Sequence, residues 1–386
     1  MTPFQFHTVP HLVVETGAAA RLDAILGEYF QPCRACIVTT PPLPDNGTLE
    51  PIIHSLAAAG WSVDVVSDVQ SDPPEAVVLD IAARARTLGS ELVIGVGGGS
   101  AMDVAKLVAV LLGSEQPLPQ MYGIDKVRGT RLPLVQIPTT AGTGSEVTPI
   151  AVVTTGETTK SGIVARQLYA DLVVLDAGLT LGLPPAVTAA TGIDAMVHAI
   201  ESFTSRRLKN PISDSLAIKA LKLLDRSLLA ACRDGRDLAA REDMLLGALL
   251  AGQAFANAPV GAVHALAYPV GGIFHVAHGV SNALVLPHVL RHNCSRAGEA
   301  YAQLADAILP PAQARGSIAE RAEAFIGHMQ RLVEQAAVPT RLRDVGIGRQ
   351  DIPALAAAAM LQTRLLANNP CDVDLEDATS IYEKAW

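Results

Sequence analysis

Aromatic residues are scarce in this chain, 4% of its 386 residues, and charged residues make up only 17%. A chain so poor in charge and 49% hydrophobic buries large cores, which excludes intrinsic disorder. With few aromatics and abundant Ala, its helices are expected to pack through small side chains. Excess positive charge is also missing. The net charge of −9 disfavours phosphate backbones, so no nucleic-acid partner is expected. Apolar runs such as Leu107 to Leu112 fall short of the ~20 residues of a membrane span, so no membrane partner is expected. Met1 to Gly17 shows no basic stretch followed by an apolar one, and a cytoplasmic location is expected. Cysteine is limited to Cys33, Cys36, Cys232, Cys294 and Cys371, an odd and scattered set that is no disulfide framework. Cys33 and Cys36 have C-x-x-C spacing, but no second pair completes a zinc site. Cys36 instead reads as the start of a buried strand.

The length fits roughly two domains of ~150 residues with slack. Up to about residue 183, short apolar runs alternate with helical patterns. Strands are expected at 36–40, 62–66, 91–96, 133–137, 150–154 and 172–175. Helices fall between them, one ending near Gly60, one opening at Pro73-Pro74 and one starting at Ser100. That alternation implies a parallel, Rossmann-like sheet with right-handed crossovers. Pro184-Pro185 marks a boundary, beyond which the periodicity is helical. The expected organisation is an α/β dinucleotide-binding domain over 1–183 and an all-helical domain over 184–386.

Gly97-Gly98-Gly99-Ser100 joins the third strand to a helix, with Asp103 in its first turn. Glycines let backbone approach a ligand closely, and the helix N-terminus offers free N–H groups and a positive dipole end, which suits a pyrophosphate. The arrangement is not G-x-G-x-x-G, so the usual dinucleotide fingerprint is absent. A second polar loop follows a later strand. Between Thr139 and Ser145 it holds Thr139, Thr140, Thr143, Ser145 and two glycines. Hydroxyls and exposed N–H groups at the carboxyl edge of a parallel sheet are what a nucleotide needs.

Asp194 and His198 are four residues apart on an expected helix, hence on one face. Five of the ten histidines lie within 264–292: His264, His275, His278, His288 and His292. His264 sits on a helix starting near Gly261, which Gly271-Gly272 is expected to break, and His278-Gly279 starts the next segment. Asp194, His198, His264 and His278 make an N₃O donor set suited to Fe(II), Zn(II), Co(II) or Ni(II). Tyr268 and His275 are the candidates for a proton relay or substrate contact, while His288 and His292 are placed further along, outside the ligand set.

With these residues in view, the chain resembles the iron-containing (group III) alcohol dehydrogenase family over nearly its whole length. Gly97 to Ser100 with Asp103 looks like the family's pyrophosphate loop, and Pro138 to Glu146 like its nicotinamide-side loop. Gly192 to Glu201 and His264 to His288 look like its two metal motifs. The resemblance implies a dehydroquinate synthase-like architecture, with NAD or NADP and a divalent metal, Fe(II) foremost and Zn(II) as the substitute. It implies that Asp194, His198, His264 and His278 bind the metal, and that Lys160 lies near the cofactor ribose. The implied reaction is hydride transfer between a small alcohol and its aldehyde or ketone, in a homodimer or larger homo-oligomer.

Two departures bear on substrate and cofactor. Where many members carry an acidic residue after the first strand, this chain has Thr40, which removes a repulsion against a 2′-phosphate. Four residues after His264, many members have histidine where this chain has Tyr268. Tyrosine there is similar to the hydroxyacid–oxoacid transhydrogenase branch, which stands as the alternative. Maleylacetate reductases lack the metal ligands that this chain keeps.

Overall fold

The protein is described by a computed structural model covering residues 3–156 and 159–386. It divides into two compact units. One is Thr8–Gly182, and the other is Leu183–Trp386 together with the N-terminal stretch ending at His7.

Among its described residues the first unit contains nine strands: β1 (His11–Val14), β2 (Arg34–Val38), β3 (Ser62–Val66), β4 (Leu92–Gly97), β5 (Gly123–Ile124), β6 (Leu134–Pro138), β7 (Ile150–Thr155), β8 (Thr159–Val164) and β9 (Leu172–Leu175). Six of them form a wholly parallel sheet in the order β1-β9-β6-β4-β2-β3. The inner strands β4, β6 and β9 are buried at every position, as expected where both faces of a parallel sheet are covered. Ala35, Ile37, Ile94, Val96, Val135, Ile137, Leu172 and Val174 share one core with Leu22, Leu26, Ile52 and Leu56 from the helices of one face. The helix Gly99–Gly113 is buried along most of its length, as its hydrophobic composition requires.

Several features depart from the sequence expectation, which placed no strand at β1, β5 or β8. The segment 150–154 is a strand, but it leaves the parallel sheet and pairs antiparallel with β8 in a small second sheet. Its alternating burial marks a strand covered on one face only. β1 was not expected at all. It is a short edge strand and mostly exposed, and its apolar run is only the three residues Leu12-Val13-Val14. Finally, Cys36 lies inside β2 rather than at its start, and burial pushes its thiol up to about 11, away from redox chemistry.

The second unit is helical. Among the described residues no strand follows β9. The helices Pro185–Thr204, Pro211–Arg233, Leu238–Asn257, Ala262–Phe274, His278–Ile308 and Ile318–Gln335 make its body. Among the described residues no single helix is long and apolar enough to cross a membrane. The expected break at Gly271-Gly272 is displaced, because the helix runs on to Phe274 and ends at His275, which adopts φ 55°. Glycine lowers helix propensity by only about 1 kcal/mol, which packing overrides. Here Gly271 serves close approach instead. A Cβ on it would lie 3.2 Å from the Val276 carbonyl oxygen as the chain folds back after the helix.

Candidate active site

Two sites form, one in each unit. In the first unit, Gly97 of β4 pairs with Pro138 of β6, so the loops that follow both strands leave the same sheet edge side by side. The Thr139 N–H donates to the Gly97 carbonyl at 2.9 Å. A Cβ on Gly98 would come within 3.3 Å of Thr140 Oγ1, and one on Gly99 within 2.8 Å of Thr143 Cγ2. Glycine at these positions gives the two loops room to touch, most clearly at Gly99. The helix Gly99–Gly113, with Ser100 in its first turn, starts here with no side-chain cap hydrogen bond to its first N–H groups.

Asp103 and Ser145 are held from within. Ser145 Oγ donates to Asp103 Oδ1 at 2.5 Å, and Asp103 Oδ2 accepts from the Val152 N–H at 2.9 Å. The organiser is Lys106, which no sequence motif singled out. Its fully buried Nζ donates to Ser145 Oγ at 2.7 Å, to the Ile150 carbonyl at 2.7 Å and to Thr148 Oγ1 at 3.3 Å. Glu146 is buried beside this network, and burial pushes its carboxyl up to about 7. Thr40 is half-buried, just past the carboxyl end of β2. Lys160, on β8, pairs with Asp72 at 2.6 Å.

In the second unit, Asp194 and His198 project from the helix Pro185–Thr204 and are buried. His264 lies in the first turn of Ala262–Phe274, and His278 opens His278–Ile308. The structure brings all four together. Asp194 Oδ1 lies 3.9 Å from His198 Nε2, 3.7 Å from His264 Nε2 and 3.4 Å from His278 Nε2. Gly279 makes this convergence possible, since a Cβ there would sit 2.0 Å from the Ala190 carbonyl oxygen on the Asp194 helix. Donor atoms of Asp194, His198 and His264 all lie within 4.8 Å of one another. Metal–ligand bonds of roughly 2.0–2.2 Å place neighbouring donor atoms roughly 3–4 Å apart, so this donor set fits one divalent ion.

The electrostatics agree. Burial disfavours the Asp194 carboxylate, but the imidazoles of His198, His278 and His264 and the Asn282 amide outweigh it and hold the carboxyl below its usual range. Asn282 Nδ2 donates to Asp194 Oδ1 at 2.7 Å, and Glu201 Oε2 meets His264 Nδ1 at 2.6 Å. Neither Asn282 nor Glu201 was chosen from the sequence as a site residue. Spacing held the signal, because Glu201 is three residues after His198 and Asn282 four after His278, each on its neighbour's helix face. Tyr268 stands next to the centre, its ring centroid 5.8 Å from that of His278 and 6.5 Å from that of His264. His275 is exposed at the end of its helix. His288 and His292 lie further along the His278 helix, and burial drives His288 down to about 4.

A phosphate-ready edge on a parallel sheet and a buried Asp-His donor set in a helical unit define a metal- and dinucleotide-dependent oxidoreductase. Family models agree: that for "Iron-containing alcohol dehydrogenase" matches residues 10–177, and that for "Fe-containing alcohol dehydrogenase family, C-terminal" matches 188–386. The chain is 42% identical over 359 residues to long-chain-alcohol dehydrogenase 1 of Geobacillus thermodenitrificans, covering 91% of this chain and 89% of that one. The crystal structure of 1,3-propanediol oxidoreductase superposes with a TM-score of 0.94 at 33% identity, covering 100% of both chains. Sulfoacetaldehyde reductase from Bifidobacterium kashiwanohense, solved in complex with NAD⁺, superposes with a TM-score of 0.89 at 26% identity, covering 100% of this chain and 99% of that one. The chain belongs to the iron-containing alcohol dehydrogenase family. It is an oxidoreductase that interconverts an alcohol and its carbonyl compound with a nicotinamide dinucleotide and a divalent metal.

Proposed function

We propose that the chain reduces a small aldehyde, and oxidises the matching alcohol, with Asp194, His198, His264 and His278 holding Fe(II). The observation that carries this is one Asp194 oxygen facing three imidazole nitrogens at 3.4–3.9 Å. When bound, the metal supplies Lewis acidity toward the substrate oxygen and the dinucleotide supplies or accepts the hydride. The chain's own residues do the rest. Gly97, Gly98, Gly99 and Ser100 present backbone N–H groups to the pyrophosphate, flanked by the hydroxyls of Thr139, Thr140 and Thr143. Asp103 and Ser145 brace those loops rather than reach the ligand, and Lys160 serves the ribose. Tyr268, beside His278, passes the proton between substrate and solvent, and exposed His275 is its outer partner.

The division of labour is a cofactor unit over 1–183 and a metal unit over 184–386. We further propose a homo-oligomer in the cytoplasm, without nucleic-acid or membrane partners. The exposed edge strand β1, with Leu12 39% and Val14 54% exposed, favours self-association, and five free thiols fit a reducing compartment. The test is to strip the metal, reload Fe(II) anaerobically and follow NADH and NADPH oxidation over short aldehydes. Iron-dependent oxidation is expected, and His264→Ala is expected to abolish it while still binding NADH. Turnover of a hydroxyacid and an oxoacid without added cofactor would instead establish the transhydrogenase alternative, which Tyr268 favours.

A further inference from the structure

Glu201 lies on the helix that carries Asp194 and His198, three residues beyond the second of them, and is buried. A buried carboxylate is tolerated only when its oxygens are occupied. Both are. Oε1 accepts from the Val263 backbone N–H at 2.7 Å, and Oε2 meets His264 Nδ1 at 2.6 Å. One carboxylate therefore grips two consecutive residues, one by its backbone and the next by its ring.

This grip answers a structural need. The helix Ala262–Phe274 begins at Gly261, which has no side chain to cap it. Its first N–H groups must find acceptors elsewhere. Ala262 donates to Asn369 Oδ1 at 3.3 Å and Val263 donates to Glu201. An ionised carboxylate only accepts, so the shared proton sits on His264 Nδ1. That leaves Nε2, the nitrogen that faces Asp194 Oδ1 at 3.7 Å, as the ring atom turned toward the metal centre.

We infer that Glu201 is a positioning residue for the metal centre, fixing the tautomer and ring orientation of His264 while anchoring the first turn of its helix. One helix thereby supplies two ligands and the orienter of a third. This rests on the proposal that His264 is a metal ligand. Partners of this kind are worth roughly 10- to 100-fold in metal affinity.

The test uses the full chain stripped of metal and titrated with Co(II) or Fe(II) against a competing chelator. Glu201→Gln keeps the shape but offers one acceptor where two are needed. It is expected to bind metal roughly 10- to 100-fold more weakly, with a changed Co(II) absorption spectrum and unchanged NADH affinity. Wild-type affinity and an unaltered Co(II) spectrum in Glu201→Gln would overturn the inference. A second measurement does not depend on the variant folding. In metal-free wild-type protein, ¹⁵N resonances of the histidine rings, with His264 assigned by its loss in His264→Ala, are expected to show the proton on Nδ1. An Nδ1 that carries no proton would overturn the inference. Failure of the wild-type chain to bind either metal is a separate outcome and overturns the ligand assignment on which it rests.

Discussion

The ammonium of Lys106, fully buried, lies 2.7 Å from the Ser145 hydroxyl and so ties the helix after the glycine loop to the loop after β6. Lys106→Met would leave Ser145 and the Ile150 carbonyl without this donor, at about 1–3 kcal/mol for each buried group left unsatisfied. The melting temperature is expected to fall and the NADH dissociation constant to rise about tenfold, which corresponds to about 1.4 kcal/mol. Metal affinity should stay unchanged. NADH titration by fluorescence checks this, and an unchanged dissociation constant would show that the loops hold their places without Lys106.

Glu146 makes stability depend on pH. Its carboxyl, ordinarily near 4.5, is pushed up to about 7 by burial, so the folded protein binds this proton more tightly than the unfolded chain. Stability from this group is therefore present at low pH and lost as pH rises from the lower value through the higher, by about 3 kcal/mol in all. Glu146→Gln cannot ionise. Its melting temperature relative to wild type is expected to climb between pH 5 and 8, and a difference constant across that range would contradict the prediction.

Close helix contact at Gly279 has a specific cost when blocked. A Cβ there would lie 2.0 Å from the Ala190 oxygen and 2.5 Å from its carbonyl carbon, both backbone atoms that move only if the helix moves. Gly279→Ala is expected to destabilise by about 1–3 kcal/mol or more. It should also weaken metal binding, because the neighbouring His278 is displaced from Asp194. Denaturant unfolding and chelator competition read the two effects, and retained metal affinity would show that His278 is dispensable.

Thr40, at the end of β2, sets the cofactor test. Thr40→Asp places a carboxylate where a 2′-phosphate would be repelled. The preference for NADPH over NADH is expected to fall about tenfold or more, a change of at least about 1.4 kcal/mol. Parallel kcat/KM measurements with the two cofactors check it, and an unchanged ratio would place the adenosine ribose elsewhere.

Much of the architecture was legible in the sequence. Ser62–Val66 and Leu172–Leu175 appear with the expected bounds, the first because apolar Val63, Val65 and Val66 alternate with polar Ser62 and Asp64, the second because a fully buried strand reads as a short apolar run. The glycine loop was legible because a strand, three glycines and a helix form one local signal. β1 was not, since its apolar run is only the three residues Leu12-Val13-Val14, with no helical pattern before it to mark an alternation. Nor was the true end of the His264 helix. Gly271-Gly272 resembles a local break, yet tertiary packing carries the helix on to Phe274.

By itself, the sequence determined what local periodicity can encode. It marked a sheet-forming first part and a helical second part, and placed Asp194 and His198 on one helix face through a spacing that 3.6 residues per turn converts into adjacency. Tertiary structure alone decided which faces meet. The approach of Gly279 to Ala190 brought His278 to the same Asp194 oxygen that His264 faces, the pairing of β7 with β8 took Ile150–Thr155 out of the parallel sheet, and burial gave Lys106, Glu201 and Asn282 their partners. Periodicity orients a side chain about its own helix or strand. The identity of its neighbour depends on contacts between residues far apart in the chain, and no local pattern records those.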